Sequence, residues 1–136
     1  ALQIAHPIAL EFLRAAETEG LLAALSLSAR EFFAKFAEGD GSLIAEIFAE
    51  AIRDDAISAS LRAADRQSVA LFIKAIRAAQ VRREIDAALD PELVANTLFA
   101  AIEGIGLRRA FLRDTDVEAS VAQFRALAER YLSQRS

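Results

Sequence analysis

Apolar residues recur at helical spacing along most of the chain. In the segment 56–83, an apolar or small residue returns every three or four positions, as one buried face of an α-helix requires. These positions are Ile57, Leu61, Ala64, Ser68, Phe72, Ala75 and Ala79. No segment alternates between apolar and polar residues with the period of two that marks a half-buried β-strand. The pattern therefore predicts an all-α helical bundle.

The first part of the chain offers two helix starts. Pro7 suits the first turn of a helix that ends at Gly20, although the same Pro7 could instead kink a longer helix. Farther on, Ser28 precedes Glu31 by three residues, which is the spacing of a capping box. This spacing predicts a helix over about 29–38 that follows a short apolar connector.

Two breaks divide the middle of the chain. The sequence EGDGS at 38–42 combines glycine with polar residues, which favours a turn. Ser42 would then cap a helix at about 43–53. The pair Asp54-Asp55 interrupts the apolar pattern before the long helix begins.

The segment LDPELVANTLFAAIEGIGLRRAFL predicts the most unusual helix. Asp90 suits the N-cap and Pro91 the first helical position, and the helix runs to about Arg113. It is apolar almost all the way round, and it carries Gly104 and Gly106. A helix on the surface of one subunit normally shows a single apolar stripe. The segment is therefore predicted to be buried on two sides.

A final helix is predicted at about 116–133. Thr115 stands three residues before Glu118, which repeats the capping-box spacing. One apolar stripe follows this helix and consists of Val117, Val121, Phe124, Ala128, Tyr131 and Leu132. The last two helices together offer more apolar surface than one small core can use.

Composition narrows the class of protein. Of the 136 residues, 54% are apolar, which exceeds the usual fraction of about 45–50%. Such an excess in a short chain indicates a second buried surface, such as a partner subunit or a ligand cavity. No apolar run approaches the roughly 20 residues that span a membrane, and no signal peptide is apparent. With no Cys in the sequence, we expect a cytoplasmic protein.

Charge and the remaining chemistry exclude several functions. The net charge of −4 argues against DNA binding by this chain itself, because DNA binding needs a concentrated basic face. His6 is the only histidine, and its simplest role beside Pro7 is in a turn or a cap. No Glu-x-x-His pair, Gly-rich phosphate loop or activated nucleophile is apparent. We expect neither an enzyme nor a bound cofactor or metal.

The order of these elements resembles the C-terminal half of the tetracycline-repressor (TetR) family of bacterial transcription regulators. The resemblance rests on SAREFFAKFAEGDGSLIAEIFAEAIRDD, on LRAADRQSVALFIKAIRAAQVRREI, and on the acidic start DPEL with the later Glu103-Gly104. It covers residues 28–133. It implies a helical segment at 1–27 that leads from a DNA-binding domain, and an effector-binding and dimerisation domain at 28–136.

The resemblance also implies a division of labour. Members of the family bind operator DNA through an N-terminal helix-turn-helix, and they bind a small, often apolar effector through the C-terminal domain of a homodimer. This sequence shows no helix-turn-helix and does not begin with Met. We therefore expect operator binding to belong to an upstream segment.

The family's last two helices form a four-helix bundle with their copies at a two-fold dimer interface. Such a bundle would explain a helix that is apolar on two sides, with Gly104 allowing two backbones to approach closely. We expect the interface to contain Gly104, Leu107, Phe111, Val121, Phe124 and Ala128. The alternative is that Gly104 and Gly106 only loosen a helix inside one subunit.

Phenylalanines on several helices suggest an effector pocket, because ligand sites in bundles are mostly apolar with a few polar groups. The expected ligand-binding residues are Phe36, Phe48, Phe72, Asn96, Thr97 and Phe99, with Gln80 as a further candidate. Asn96 would form the polar edge. Phenylalanines at helical spacing are more often core, however. A solid core would favour a helical oligomerisation or interaction protein without a ligand, whereas a closed apolar cavity would favour the effector domain.

Overall fold

The computed structural model describes the backbone of residues 2–134 and the side chains of residues 10–134. Six α-helices make up this part of the chain: α1 Leu2–Glu19, α2 Leu21–Ala37, α3 Gly41–Arg53, α4 Asp55–Val81, α5 Pro91–Phe111 and α6 Val117–Leu132. Between residues 2 and 134 there is no β-strand. The predicted all-α class is confirmed.

The first two helices differ from the prediction. The backbone of α1 is helical on both sides of Pro7, and the side chain of His6 lies outside the described residues. The helix α2 begins at Leu21, so Ser28 lies inside it and the predicted start at Ser28 is wrong. Gly20 separates α1 from α2 with a φ of 99°, a conformation that glycine adopts at little cost.

A residue far along the chain supplies the cap of α2. Both carboxylate oxygens of Glu84 lie 3.3 Å from the backbone nitrogen of Leu21 and accept its hydrogen bond. Arg82 donates to the same carboxylate at 2.9 Å and to the carbonyl of Ala16 at 3.3 Å. The first turn of α2 is therefore satisfied by tertiary structure rather than by a neighbouring Ser or Asp.

Aspartates cap the later helices. The predicted N-cap Asp90 is confirmed, since its carboxylate accepts from the backbone N–H of Glu92 at 3.1 Å. Asp54 begins α4 in the same way and accepts from Ala56 at 2.9 Å. Each aspartate satisfies a backbone donor that the helix itself leaves unpaired.

The predicted caps Ser42 and Thr115 are wrong. The helix α3 begins at Gly41 after Asp40, which places Ser42 inside the first turn. The N-cap of α6 is Asp116, whose carboxylate accepts from Ala119 at 3.1 Å. In both places an aspartate stands one or two residues from the hydroxyl residue, and both residue types are favourable N-caps.

The core lies around α2, which contacts each of the other five helices. The largest fully buried side chains of the core come from four helices and are Leu21, Leu25, Ile76, Val94, Leu98 and Phe124. Phe12 of α1 and Phe99 of α5 both stack on the ring of Phe72 of α4, and the centroid distance is 4.4 Å in each pair. This aromatic column joins three helices.

Phe36, near the end of α2, packs against two glycines. A Cβ atom added to Gly41 would lie 2.7 Å from the Phe36 ring, and one added to Gly106 would lie 2.8 Å from it. The Phe32 ring would lie 3.0 Å from the same atom on Gly106. Contacts this short are not tolerated in packed interiors, so glycine is required for α3 and α5 to reach the aromatic rings. A Cβ added to Gly104, by contrast, would meet no atom within 4 Å.

We predict that Gly106→Ala destabilises the subunit. The added methyl group forces the buried rings to shift, and overpacking of this kind costs roughly 1–3 kcal/mol, partly offset by the higher helix propensity of Ala. The free energy of unfolding is measured by urea titration at a fixed protein concentration. Gly104→Ala is the matched control at a protein concentration low enough for the chain to be monomeric, because its methyl group meets nothing in the same subunit. An equal effect at both positions would contradict the packing argument.

Candidate functional site

A cleft of about 710 Å³ lies beneath α3. It lies between α2, α3 and the N-terminal half of α4, and α5 contributes one side chain. The apolar wall consists of Phe32, Ile47, Phe48, Ala51, Leu61 and Ala64. The polar lining consists of Lys35, Ser58, Arg62, Asp65, Ser68 and Glu103. The cleft is open to solvent, unlike the closed cavity expected from the sequence.

The attachment of α3 creates the cleft. Its first residue, Gly41, is held against Phe36, and the preceding turn depends on Gly39, whose φ is 97°. Beyond that point α3 contacts α2, α4 and α5 but neither α1 nor α6. Its apolar side chains Ile47 and Phe48 remain 43% and 40% exposed. An amphipathic helix normally buries such a face, so this face is available to a ligand.

Two carboxyl groups meet in the polar lining. Glu103 of α5 is half-buried, and Asp65 of α4 lines the same cleft. Burial raises the pKa of the Glu103 carboxyl above its ordinary value, and the negative charge of Asp65 raises that pKa further. Among the described residues, no salt bridge includes either carboxylate.

The two cations of the cleft do not neutralise this pair. The guanidinium of Arg62 donates a hydrogen bond to the hydroxyl of Ser58, one turn earlier on α4. Lys35 projects from α2 as an exposed side chain. Neither cation is among the causes that shift the pKa of Glu103. The cleft therefore combines an apolar wall with two carboxylates that form no salt bridge within the described residues.

The predicted pocket residues do not come together. Of the four phenylalanines expected to bound the cavity, only Phe48 lines the cleft. Phe36 is buried against glycines, and Phe72 and Phe99 belong to the filled aromatic column. Their helical spacing matched a core face equally well, and the core is where three of them lie.

The predicted polar contacts also lie elsewhere. The exposed Asn96 donates to the carbonyl of Glu92 at 2.9 Å, and Thr97 is half-buried outside the cleft lining. Gln80 donates to the carbonyl of Leu89 at 2.8 Å and so holds the loop before α5. Sequence reasoning missed Glu103 as a site residue. The available signal was that Glu103 is the only charged residue between positions 93 and 107.

A comparison with protein families identifies the family to which this helical domain belongs. Residues 22–135 match the family described as the C-terminal domain of BetI-type transcriptional repressors. The chain belongs to this TetR-type C-terminal domain family. No curated protein and no solved structure matches the chain. Within the described residues, no helix is both long enough and apolar enough to cross a membrane.

In this TetR-type domain, α5 has an outward apolar stripe. Gly104 is exposed, Leu107 is half-buried, and the Phe111 side chain is 81% exposed. Leu93 and Ala100 continue the same exposed face toward the N-terminus of the helix. Positions three, four and seven apart share a helix face, so these residues form one surface. The predicted α5 residues of the dimer interface therefore lie where a partner could reach them.

The predicted interface residues of α6 are placed differently. Val121, Phe124 and Ala128 are buried in the core of their own subunit, and Phe124 has no exposed surface at all. They therefore offer almost no surface to a partner, and the interface proposed below uses other residues of α6. The exposed apolar residues of α6 include Ala122, Ala126 and Leu127, of which Leu127 is 44% exposed.

A polar link joins α5 to α6 beside this surface. Arg109 Nε donates to Gln123 Oε1 at 3.0 Å, and the same guanidinium bonds the carboxylate of Asp114 at 3.2 Å. Residues 123 and 127 are one turn apart on α6. We therefore define the outer face by Ala100, Gly104, Leu107, Phe111, Ala126 and Leu127.

We predict that Glu103→Gln increases stability at neutral pH but not at acid pH. The folded-state pKa of Glu103 is raised above its ordinary value of 4.5, so the folded protein binds the proton more tightly than the unfolded chain. Folding stability therefore falls as the pH rises from the unfolded pKa through the folded pKa, and it levels off above. Glutamine carries no charge and avoids this loss.

The free energy of unfolding is measured by urea titration at several pH values. The advantage of the Glu103→Gln variant should grow as the pH rises and then reach a plateau. Glu46→Gln removes a carboxylate from the exposed side of α3 and serves as the control. A difference between Glu103→Gln and the parent chain that shrinks with rising pH would show that the ionised carboxylate is stabilised.

Proposed function

We propose that this domain binds a small, largely apolar effector in the cleft beneath α3 and forms a homodimer through the outer face of α5 and α6. In this proposal the protein is a TetR-type transcriptional repressor that contacts operator DNA through a helix-turn-helix domain outside this chain. Membership of the C-terminal repressor family supports the regulatory role. The net charge of −4 is consistent with DNA contact through another domain.

The cleft carries the effector part of the proposal. Its volume of about 710 Å³ falls within the roughly 300–1,000 Å³ that is typical of small-molecule sites. Half of its lining residues are aliphatic or aromatic and half are polar or charged, which suits a ligand with an apolar body and a polar end. The exposed apolar side of α3 supplies one wall of this site.

The position of α3 suggests how an effector would act. A ligand in the cleft would bury Ile47 and Phe48, which the protein alone leaves partly exposed. It would draw α3 toward α4, because both helices supply the wall. The helix α4 also packs on α1, so a shift of α4 would displace α1 at the N-terminal end of the chain. Such coupling requires that the ligand bind the two arrangements of α3 with different affinity.

We predict that filling the cleft blocks ligand binding. N-phenyl-1-naphthylamine, a neutral apolar fluorophore, should bind the chain with increased emission. Ala64→Leu adds a side chain to the cleft wall and should weaken this binding by at least about tenfold, the loss expected when roughly 1.4 kcal/mol of binding energy is removed. Fluorescence titration measures the dissociation constant.

The matched control for this test is Ala63→Leu. It adds the same side chain to an exposed neighbouring position on α4 that does not line the cleft. Unfolding midpoints of both variants establish that the fold is retained. If the two variants bound the fluorophore equally, the cleft would not be its site. If the parent chain bound no apolar probe, the interpretation as an oligomerisation protein without a ligand would be favoured.

The outer face carries the dimer part of the proposal. It is apolar, and it contains a glycine and two alanines, which would let the helices of two subunits approach closely. A two-fold axis would bring the same surface of each subunit together, as closed homodimers require. Because both α5 and α6 contribute to the face, two copies would form a four-helix bundle.

We predict that Leu127→Glu abolishes the dimer. The substitution places a charge in a seam that excludes water, and an unpaired buried charge is strongly unfavourable. Sedimentation velocity should show a dimer for the parent chain and a monomer for the variant. Ile52→Glu is the control, because Ile52 is 83% exposed on α3, which does not contact α6. A dimer that persists in Leu127→Glu would exclude this face.

A further inference from the structure

The polar lining of the cleft holds two carboxylates whose charges repel each other. Glu103 projects from α5 and Asp65 from α4, so two different helices direct acidic groups into one opening. When ionised, a carboxylate is only an acceptor of hydrogen bonds. No side-chain donor among the described residues bonds to either group. A ligand that supplies donors and positive charge would satisfy both.

The two cations that share the cleft do not supply these donors to the carboxylates. Arg62 bonds Ser58 on its own helix, and Lys35 lies on α2 as an exposed side chain. Neither forms a salt bridge with Glu103 or Asp65 within the described part of the chain. The acidic pair is therefore free to accept hydrogen bonds from a ligand.

The apolar wall defines the rest of the ligand. Phe32 and Phe48 offer aromatic surface, and Ile47 and Leu61 offer aliphatic surface. An apolar body placed there would be removed from water and contribute binding energy in proportion to its buried area. Aromatic rings close to a cation add a further attraction to its positive charge.

We propose that Glu103 and Asp65 are specificity residues that select a protonated amine carried on an apolar body. The inference rests on the proposed function of the cleft as the effector site and names the chemical class of the effector. The ammonium N–H groups donate to both carboxylates, while the apolar body lies on the wall formed by α2, α3 and α4. An anionic ligand is repelled, and a quaternary ammonium ion has no N–H to donate.

Four probes with the same ten-carbon tail test the inference on the whole chain: decylammonium, 1-decanol, decyltrimethylammonium and decyl sulfate. Each is titrated at neutral pH against bound N-phenyl-1-naphthylamine, the three ionic probes below their micelle-forming concentrations and 1-decanol below its solubility limit. Decylammonium should bind about tenfold more tightly than 1-decanol, because charge-assisted hydrogen bonds exceed neutral ones by about this amount at a partly exposed site. Decyl sulfate should bind most weakly, and decyltrimethylammonium should fall below decylammonium.

Variants locate the selectivity. Glu103→Gln and Asp65→Asn should each weaken decylammonium binding by about fivefold to tenfold and leave 1-decanol binding unchanged. Glu46→Gln lowers the overall negative charge equally without touching the cleft, so it should leave all four affinities nearly unchanged. This control separates a local contact from general attraction of cations by an acidic protein.

Several outcomes would overturn the inference. Equal affinity for 1-decanol and decylammonium would show that the carboxylates do not select charge. Equal affinity for decyltrimethylammonium and decylammonium would exclude the role of the N–H donors. In both cases the cleft would remain a ligand site, so the proposed function would stand. If no probe and no fluorophore bound, the proposed effector site would be wrong, and the choice of an amine would fall with it.

Discussion

The ring of Phe36 controls the arrangement of three helices. It lies between Gly41 at the start of α3 and Gly106 on α5, at distances that exclude a Cβ atom on either glycine. This contact holds the first turn of α3 tightly to the body of the subunit. The remainder of α3 is less closely held and leaves its apolar face over an open cleft. The close contacts of Phe36 with the two glycines thus determine where the cleft beneath α3 lies.

Three residues of α5 that are close together in sequence face three different environments. Glu103 enters the cleft, Gly104 faces outward, and Gly106 packs on the core. Successive residues of an α-helix turn by about 100°, so neighbouring positions necessarily face different surroundings. This explains why the helix is apolar nearly all round without being a membrane span. The two glycines also have different roles: Gly106 makes room for buried aromatic rings, whereas Gly104 lies on the outward side of the helix.

In the proposed function, effector binding and dimerisation involve the same helix. A ligand held by Glu103 and a partner subunit near Gly104 would act on adjacent residues of α5. A small rotation of α5 or a closer approach of α3 would therefore change both surfaces together. Packed helices change between discrete arrangements more readily than they deform continuously. The short route between the cleft and the outer face is consistent with a domain that reports ligand binding to a second subunit.

The sequence by itself determined the all-α class, the Asp90 cap, the break at Asp54 and the family, because these depend on local spacing and on the order of elements. The start of α2 required the tertiary structure, since Glu84 caps Leu21 from a distance along the chain. The sequence did not show which apolar residues of α6 face the core and which face outward, because a helix between a core and a partner subunit is apolar on both sides. The cleft was equally hidden: a phenylalanine stripe has the same period in a filled core and in a ligand wall. Only the packing of α3 at Gly41 decided where space remained, because unfilled volume is a property of the assembled helices and not of any one of them.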